Sequence, residues 1–408
     1  MIFRENHIDM KRIVLLPVFF AFLSAQTFQT VIQRLEQSPA EQRQRIIEPY
    51  LAAKRFSPII EQDTLLHFVF YGTAGSVSVN GNLQHWNNPV PLERIPCGTY
   101  SLFHKTFVVP SDARLDYQFI VDGKVTLDPH NPAVTPSGFG PHSEARMPGS
   151  VPSPYLFVRN DIPRGTIDSL PAAKIPAPLC HYLVGVRPIK VYKPAGYDTL
   201  SHLPTIYIHD GFEAITFAHL PTIIDNLIAA KMIPPVIAVF IPPVNRQDEY
   251  AGSRTEQFVK YLADDLVPLI DHIYRTEPSP LQRAMIGISG GGHLSLYAGL
   301  RRSDVFLNAG GQSSTITPWL IDLTKQRFAS NSISAQMKIY LDCGRFDIKG
   351  ENPQDDAFNF LRLNRNYSNL LSSLHIPHYY KEVNDGHEWA NWRERMPEML
   401  IYFFGTHL

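Results

Sequence analysis

Cysteine and net charge are the two features that this 408-residue sequence has least of. Its three cysteines, Cys97, Cys180 and Cys343, lie far apart and form no CxxC pair, which argues against a zinc site and a disulfide framework, although one pair could bridge. The 37 Lys and Arg residues nearly cancel the 38 Asp and Glu residues, and no basic block occurs. Nucleic acid and an anionic membrane are therefore disfavoured as partners, and a small or uncharged partner is expected.

Long apolar runs are missing too, except near the N-terminus. There Lys11 and Arg12 precede the apolar residues 13–23, and the small residues Ser24 and Ala25 follow. This order is typical of a secretory signal peptide, and the run is too short to span a bilayer comfortably. We therefore predict a signal peptide over residues 1–25 and an exported chain, periplasmic or secreted, with no membrane span. The alternative is a hydrophobic N-terminal helix.

Two further segments before the middle of the chain differ in the spacing of their apolar residues. Residues 26–60 mix apolar and charged residues at helical spacing, which predicts two short helices split near Ser38. Short β-branched or aromatic runs closed by Gly, Asp or Pro follow, and they predict a small all-β, immunoglobulin-like sandwich over residues 61–150. Prolines then recur, as in a stiff surface connection, so we expect a domain boundary near Pro152.

The remaining residues, 151–408, alternate apolar strand candidates with helical stretches. The alternation predicts an α/β domain with a doubly wound, mostly parallel sheet and helices on both faces. Within it, Ser253 and Glu256 match a capping box, which predicts a helix start at that point. The strand candidates are RPIKVYK, PTIYIH, PPVIAVFI, RAMIGI, MKIYLD and HYYKEV.

The clearest chemical signal is GISGG, residues 287–291, which lies between the strand candidate RAMIGI and a helical stretch. GxSxG in this setting predicts a nucleophile elbow, in which small residues two positions before and after Ser289 let strand and helix approach closely. The turn lifts Ser289 Oγ clear of the sheet and aims the N–H of Gly290 at a developing oxyanion. The alternatives are a Gly-rich turn with an idle serine and a phosphate-binding loop. The second is disfavoured because the lysine of GxxxxGK[ST] and a GxGxxG register are both missing.

A serine nucleophile needs a base and an acid later in the chain. His387 follows the last strand candidate, at the edge where open α/β sheets keep their sites, and is the predicted base. The pair His387 and Glu388 does not extend to HExxH, so no metal site is predicted. The segment MKIYLDCGRFD offers two acids, and Asp347 is favoured over Asp342 because the loop carries it past the sheet edge. After the strand PTIYIH, the backbone N–H of Phe212 is the candidate second oxyanion donor.

These motifs resemble those of a known family. IYIHDG, GISGGG, CGRFD and GHEWANWRERM are similar to the esterase D or enterochelin-esterase-like branch of the α/β hydrolases, and the similarity runs from about Pro154 to the C-terminus. The N-terminal part resembles the early-set, glycogen-branching-enzyme-type sandwich often fused to these esterases, through GNLQHW, YQFIVDGKVTLDPHNP and FGPHSEARMPG. The resemblance implies a catalytic triad and an oxyanion hole formed by two backbone N–H groups. The triad would be Ser289, Asp347 and His387, and the N–H donors Gly290 and Phe212.

The expected function is a serine carboxylic ester hydrolase that works through an acyl-enzyme without a cofactor. Feruloyl or acetyl polysaccharide esters, or a related aromatic ester, are the expected substrates, and the siderophore trilactone enterochelin is the alternative. A fold does not fix a function, so a non-catalytic carbohydrate-binding protein on a hydrolase scaffold is the alternative of another class. On the sandwich, Trp86 would contact the carbohydrate, although a lone tryptophan beside a turn more often packs. Arg246, Tyr250, Trp389 and Trp392 are candidates for lining an aromatic-accepting pocket.

Overall fold

The computed structural model describes residues 26–54, 57–170, 187–350 and 358–405. They divide into two compact units. The first comprises the described residues up to Thr135 together with Pro141–Ser150, and the second comprises Pro136–Gly140 and the described residues from Val151 onwards.

Some of the sequence predictions lie outside the described residues, namely the signal peptide and any role of Cys180. Cys97 and Cys343 are both buried free thiols. Within the four described ranges, no helix combines the length and the apolar character that crossing a bilayer requires.

Two helices open the first unit, α1 (Phe28–Gln37) and α2 (Ala40–Lys54). Ser38, between them, has an extended backbone, because a residue that precedes proline is disfavoured in the helical region. The apolar side chains of α1 form one buried cluster with side chains from the strands that follow. The helices are therefore held by packing against the β-structure of this unit.

Ten strands follow, and they pair antiparallel in two sheets. They are β1 (Ile59–Glu61), β2 (Leu65–Gly72), β3 (Val77–Gly81), β4 (Val90–Pro91), β5 (Glu93–Cys97), β6 (Tyr100–Val108), β7 (Arg114–Val121), β8 (Lys124–Thr126), β9 (Val134–Thr135) and β10 (His142–Arg146). One sheet has the order β1-β2-β6-β5, and the other has the order β4-β3-β7-β10-β9 with β8 beside β7. Phe68 on β2 packs on Tyr117 of β7 with ring centroids 4.6 Å apart, so side chains of the two sheets share one core. The predicted all-β region is confirmed.

In the part of the chain that the structure describes, eight strands form the sheet of the second unit. They are β11 (Thr166–Ser169), β12 (Lys190–Lys193), β13 (Thr205–His209), β14 (Ile237–Ile241), β15 (Arg283–Ile288), β16 (Asn308–Gln312), β17 (Lys338–Gly344) and β18 (His378–Val383). Their order is β11-β12-β14-β13-β15-β16-β17-β18, parallel from β14 to β18 and antiparallel at β11 and β12. The predicted mostly parallel sheet is confirmed, and each of the six strand candidates forms a strand. The sequence analysis missed β11 and β16.

Helices cover both faces of this sheet, as the strand pattern requires. They are α3 (Gly211–Thr216), α4 (Leu220–Ala229), α5 (Arg246–Ala251), α6 (Thr255–Tyr261), α7 (Val267–Ile273), α8 (Gly290–Arg301), α9 (Pro318–Ala329), α10 (Phe360–Ser373) and α11 (Trp389–Phe404). Alternate residues of β13 enter opposite buried clusters: Tyr207 packs in the cluster of α6 and α7, whereas Ile206 and Ile208 pack in the cluster of α4 and α11. The central strands are thereby buried on both sides.

The predicted capping box is wrong. Helix α6 begins at Thr255 with Arg254 at the N-cap position and no side-chain cap. The N–H of Gly252 donates to Thr255 Oγ1 at 3.1 Å, so the threonine closes the turn in front of the helix. Glu256 instead accepts from Arg301 at 3.0 Å, on α8. The carboxylate is used between helices and not at a helix end.

Arg114 on β7 gives a stability prediction for the first unit. Its buried guanidinium bonds Asp116 at 2.7 Å and Glu144 at 2.6 Å. Arg114→Met leaves the fully buried Asp116 carboxylate without its cation, so we expect the free energy of unfolding to fall by about 3–5 kcal/mol. The measurement is urea unfolding followed by circular dichroism. The matched control is Lys105→Met, which removes an exposed pair with Glu93 and should cost at most about 1 kcal/mol. Equal losses in the two variants would contradict the prediction.

Candidate active site

Ser289 stands on a sharp turn between β15 and α8. Its backbone has φ 52° and ψ −121°, a conformation that a non-glycine residue adopts only at a free-energy cost. A Cβ atom at Gly287 would lie 2.9 Å from Gly291 Cα, so strand and helix can meet here because residue 287 has no side chain. This is the geometry that the GxSxG spacing predicts.

Hydrogen bonds hold the backbone of Ser289 on both sides. Its N–H donates to the carbonyl of Gln312 at 2.9 Å, and its carbonyl accepts from the N–H of Thr315 at 3.0 Å. Both partners belong to the end of β16 and the segment that leaves it. The serine is therefore fixed to the neighbouring strand as well as to its own.

The predicted base and the favoured acid lie side by side. Neighbouring strands carry them, because Gly344 of β17 pairs with Val383 of β18, and each side chain follows its strand by a few residues. His387 Nδ1 is 2.6 Å from Asp347 Oδ1. The imidazole is buried between Phe360 and Trp392, with ring centroids 4.7 Å away on both sides and both contacts edge-on.

The Asp347 carboxylate is buried and well supplied with donors. Besides His387, the N–H of Ile348 donates to it at 2.7 Å, and the Cys343 thiol lies 3.5 Å from its second oxygen. Burial works to raise the pKa of Asp347, but the imidazole and hydrogen bonds from His387, Ser313 and Ile348 outweigh it and leave the pKa below its ordinary value. The acid next to His387 is therefore held as a carboxylate.

Asp342, the other candidate acid, has different partners. It lies fully buried on β17, where it accepts from Gln312 Nε2 at 3.0 Å and stands 3.5 Å from the guanidinium of Arg395. Burial raises the pKa of Asp342. The structure thus brings Asp347 to His387 and gives Asp342 a bracing position behind it.

Arg395 on α11 is a site residue that sequence reasoning missed. Its buried guanidinium lies 3.5 Å from Asp342 and 3.3 Å from Asp385. Asp385 is two residues before His387, and its carbonyl accepts from the N–H of Phe346, the residue before Asp347, at 2.9 Å. The Arg395 guanidinium therefore links β17, which precedes Asp347, to the loop that carries His387. The only trace in the sequence is an arginine in GHEWANWRERM, which by itself indicates no partner.

The two predicted oxyanion donors belong to residues that follow neighbouring strands at the same edge of the sheet. Ile208 of β13 pairs with Ile286 of β15, so the turns after these strands lie next to each other. Gly290 and Phe212 both belong to the first turn of a helix, α8 and α3, where backbone N–H groups have no partner inside the helix. Asp210 makes the turn before α3 with a left-handed backbone, φ 51°.

Arg246 is the one candidate pocket residue whose side chain is substantially exposed, at 44%. Its guanidinium bonds both oxygens of Asp210 at 2.8 Å, and it lies 3.5 Å from the position that a Cβ at Gly290 would take. This cation therefore stands beside the elbow. Because Asp210 holds it at two points, its direction is fixed.

The other three candidate pocket residues are buried and carry structural contacts. Tyr250 accepts from the N–H of Asp210 at 2.9 Å, Trp389 packs between Phe217 and Trp392, and Trp392 packs on His387. Their rings fill the core behind the site, and all three side chains are buried. The ring of Trp86, in the first unit, packs on His142 with ring centroids 4.5 Å apart. This contact agrees with the alternative in which Trp86 packs and does not contact carbohydrate.

No group of three or more potential metal ligands occurs in the part of the chain that the structure describes. The sheet order, the strained serine elbow and the buried His387–Asp347 pair together define an α/β-hydrolase fold. Comparisons with known proteins extend this class. Residues 181–403 match the Esterase family, described as "Putative esterase". Since the match covers more than half of the chain, the protein belongs to the Esterase family, whose members are hydrolases that act on esters.

Curated proteins are similar to about half of this chain. The Bacillus subtilis protein "Uncharacterized protein YjcH" is 24% identical over 208 residues, which are 50% of this chain and 85% of that protein. An endo-1,4-beta-xylanase/feruloyl esterase from Xylanibacter ruminicola is 27% identical over 231 residues, 52% of this chain but only 29% of that protein.

Among solved structures, the enterobactin esterase FES from Shigella flexneri has a similar fold. The TM-score is 0.67 at 18% identity, and the match covers 87% of this chain and 97% of that one. The ferric enterobactin esterase from Salmonella typhimurium matches with a TM-score of 0.66 at 15% identity, over 85% and 95% of the two chains. The shared fold therefore includes both units of the chain.

The two aspartates give a prediction for the site. Asp347→Asn removes the charge that orients the imidazole and favours the imidazolium, so kcat for an activated ester should fall by about 10³- to 10⁴-fold. Asp342→Asn keeps the shape of a side chain that does not touch His387, and kcat should change by less than about tenfold. Steady-state kinetics with p-nitrophenyl acetate on both folded variants are the measurement. The reverse order of losses would make Asp342 the acid.

Proposed function

We propose that the chain is a serine carboxylic ester hydrolase with Ser289 as nucleophile, His387 as base and Asp347 as the acid that orients the base. One observation carries the proposal: a strained, partly exposed serine and a buried His–Asp pair lie at the same edge of one parallel sheet. An ionised carboxylate can only accept, so Asp347 accepts a hydrogen bond from Nδ1–H of His387, and Nε2 of the neutral ring is left free to accept a proton.

In the first step, Ser289 Oγ attacks the ester carbonyl carbon while His387 Nε2 takes the hydroxyl proton. The tetrahedral intermediate collapses as the carbon–oxygen bond to the alcohol breaks, and Nε2 returns the proton to the leaving alcohol. Water then attacks the acyl-enzyme in the same way and frees the acid and Ser289. Asp347 stays ionised throughout and stabilises the imidazolium.

The N–H groups of Gly290 and Phe212 stabilise the oxyanion in both steps. Each such donor is worth about 2.7–4 kcal/mol of transition-state stabilisation in comparable sites. The Arg246 guanidinium beside Gly290 adds a fixed positive charge at the mouth of the site, where it is available to an oxygen of the substrate.

For the substrate, we propose an ester with an aromatic acyl group, of the feruloyl type found on polysaccharides. The xylanase/feruloyl esterase relative supports this choice, and the Phe212 side chain adds an exposed ring next to the proposed oxyanion donor. The second candidate is a siderophore trilactone such as enterobactin, which the two-unit fold similarity to enterobactin esterases favours. Export by the predicted signal peptide is part of the proposal.

Ser289→Ala tests the nucleophile. Without Oγ no acyl-enzyme forms, so hydrolysis of p-nitrophenyl acetate should fall by at least about 10⁴-fold, and labelling by a fluorophosphonate probe should disappear. The matched control is Ser295→Ala on the same helix, whose hydroxyl bonds the Gly291 carbonyl at 2.9 Å and should not be needed. An unlabelled wild-type protein that is folded would favour the non-catalytic, carbohydrate-binding alternative.

A substrate panel tests the acyl group. We expect kcat/KM for methyl ferulate to exceed that for acetylated xylan by about tenfold or more, because an aromatic acyl group can pack on the Phe212 ring and an acetyl group offers no ring for this contact. Phe212→Ala keeps the backbone N–H and should lower kcat/KM for methyl ferulate by about three- to tenfold, with a smaller effect on p-nitrophenyl acetate. Higher kcat/KM for enterobactin than for both other substrates would instead support the siderophore candidate.

A further inference from the structure

The short segment Pro136–Gly140, between β9 and β10 in the chain, belongs to the second unit. Ser137 anchors it there, because its buried hydroxyl donates to Glu388 Oε2 at 2.9 Å. Glu388 directly follows His387, the proposed base. The segment is therefore fixed beside the loop that carries the histidine.

The same hydroxyl shapes the turn that the segment makes. Ser137 Oγ accepts from the N–H of Phe139 at 3.2 Å, and the Ser137 carbonyl accepts from the N–H of Gly140 at 3.2 Å. Gly140 has φ 103°, a conformation that favours glycine. A Cβ atom at Gly138 would lie 4.0 Å from the Phe217 ring, so the turn also lies close to the residue that follows α3. The direction of the turn is thus set by its own hydrogen bonds and by its anchor on Glu388.

Phe139 lies in this turn with its side chain 87% exposed, and no other large apolar side chain among the described residues is as exposed. A single exposed apolar residue is common on protein surfaces and by itself indicates no ligand. Phe139 differs because its turn is hydrogen-bonded to the residue after the proposed base. Two residues span at most about 7 Å of chain, so Phe139 stays close to that anchor.

The proposed reaction decides which part of an ester lies near Phe139. His387 returns its proton to the leaving alcohol, so the alcohol part of the ester lies on the histidine side of Ser289. The carbonyl oxygen points instead to the oxyanion donors. Because the turn is anchored on Glu388, the Phe139 ring belongs to the side of the site that meets the alcohol.

We propose that Phe139 is a specificity-determining residue that packs on the ring of the leaving alcohol, and that this alcohol is a sugar. One face of a sugar ring carries C–H groups that pack on an aromatic ring, while the hydroxyl groups stay in water. Ser137 is the positioning residue that holds Phe139 in place. The inference rests on the proposed function, since it uses the proton transfer from His387 to orient the ester.

Two substrates with one acyl group test the contact. Methyl ferulate and a ferulate ester of arabinose differ only in the alcohol. Phe139→Ala should lower kcat/KM for the arabinose ester by about three- to tenfold, because the packing of the sugar on the ring is lost. For methyl ferulate, kcat/KM should change by less than about twofold, since methanol has no ring. Phe139→Trp keeps an aromatic ring and should retain the wild-type ratio of the two values.

Ser137→Ala tests the anchor. The variant keeps the Phe139 ring but loses the bond to Glu388 and the bond from the Phe139 N–H, so the turn is held less firmly. The ratio of kcat/KM for the arabinose ester to that for methyl ferulate should fall by about two- to threefold. A general disturbance of the histidine loop would lower both values equally, so a change in the ratio reports the positioning of Phe139.

The matched control is Phe328→Ala. Phe328 is 44% exposed and lies in the last turn of α9. Since β17 is parallel to β16, the chain has to return to the opposite edge of the sheet between them, and α9 makes this return. Its 12 residues place the last turn about 18 Å along the helix from its start. The control should leave both kcat/KM values unchanged, and neither phenylalanine variant should alter stability to urea.

The inference is wrong if Phe139→Ala lowers kcat/KM equally for both esters, lowers neither, or raises it for the arabinose ester. An equal change of the ratio in Phe328→Ala would also overturn it. Failure of the proposed function looks different, because Ser289→Ala would then hydrolyse both esters at the wild-type rate. For an enzyme that rejects the feruloyl group, methyl acetate and an acetylated arabinose give the same comparison with one shared acyl group.

Discussion

The tight turn at Ser289, whose backbone is left-handed, requires β15 and α8 to approach each other closely, and Gly287 allows this because it has no side chain. A residue in such a conformation costs on the order of 1–3 kcal/mol, and the surrounding structure has to supply that free energy. Two backbone hydrogen bonds to the end of β16 do so, at 2.9 and 3.0 Å. The same segment then continues into Ser313, whose backbone is also left-handed. The strained backbones of Ser289, the proposed nucleophile, and of Ser313 are thus held by one stretch of chain.

The second constraint is charge in a dry interior. Four charged side chains are buried in the elements that carry the proposed base and acid. They are Asp342, Asp347, Asp385 and Arg395. A buried carboxylate is tolerated only when donors or a cation replace its water. Asp347 has the imidazole and hydrogen-bond donors, which keep its pKa low, whereas Asp342 has one amide donor and a guanidinium at 3.5 Å, and burial raises its pKa. Two aspartates of one strand-and-loop segment therefore take different electrostatic roles, and the difference comes from neighbours that are distant in sequence.

The parts of the fold that could be predicted are those with a local cause. RAMIGI and HYYKEV form β15 and β18 with the expected bounds, because apolar or aromatic and β-branched residues dominate them. β16 has the sequence NAGGQ, which carries no strand signal, yet it lies in the centre of the sheet. A Cβ at Gly310 would lie 3.0 Å from Phe403 of α11, so the packing of the helix on β16 requires glycine here. Glycine has low strand propensity, so this part of β16 lacks the β-branched and aromatic residues that mark a strand in the sequence. Arg395 escaped notice for a related reason: its partners come from other elements, and no spacing along the chain reveals them.

The aromatic residues near the histidine lie close to the proposed base and are packed in the core. Trp389 and Trp392 follow His387 closely, and their proximity suggested a pocket wall. Their residues open α11, however, and the helix turns both rings into the core shared with α4. A ring packed against the imidazole excludes water from one face, and burial strengthens the bond to Asp347. Trp392 therefore acts on the imidazole from the core side of the site, through packing. Arg246 and Phe212 are the sequence-predicted candidate residues with exposed side chains, and they lie by the proposed oxyanion donors.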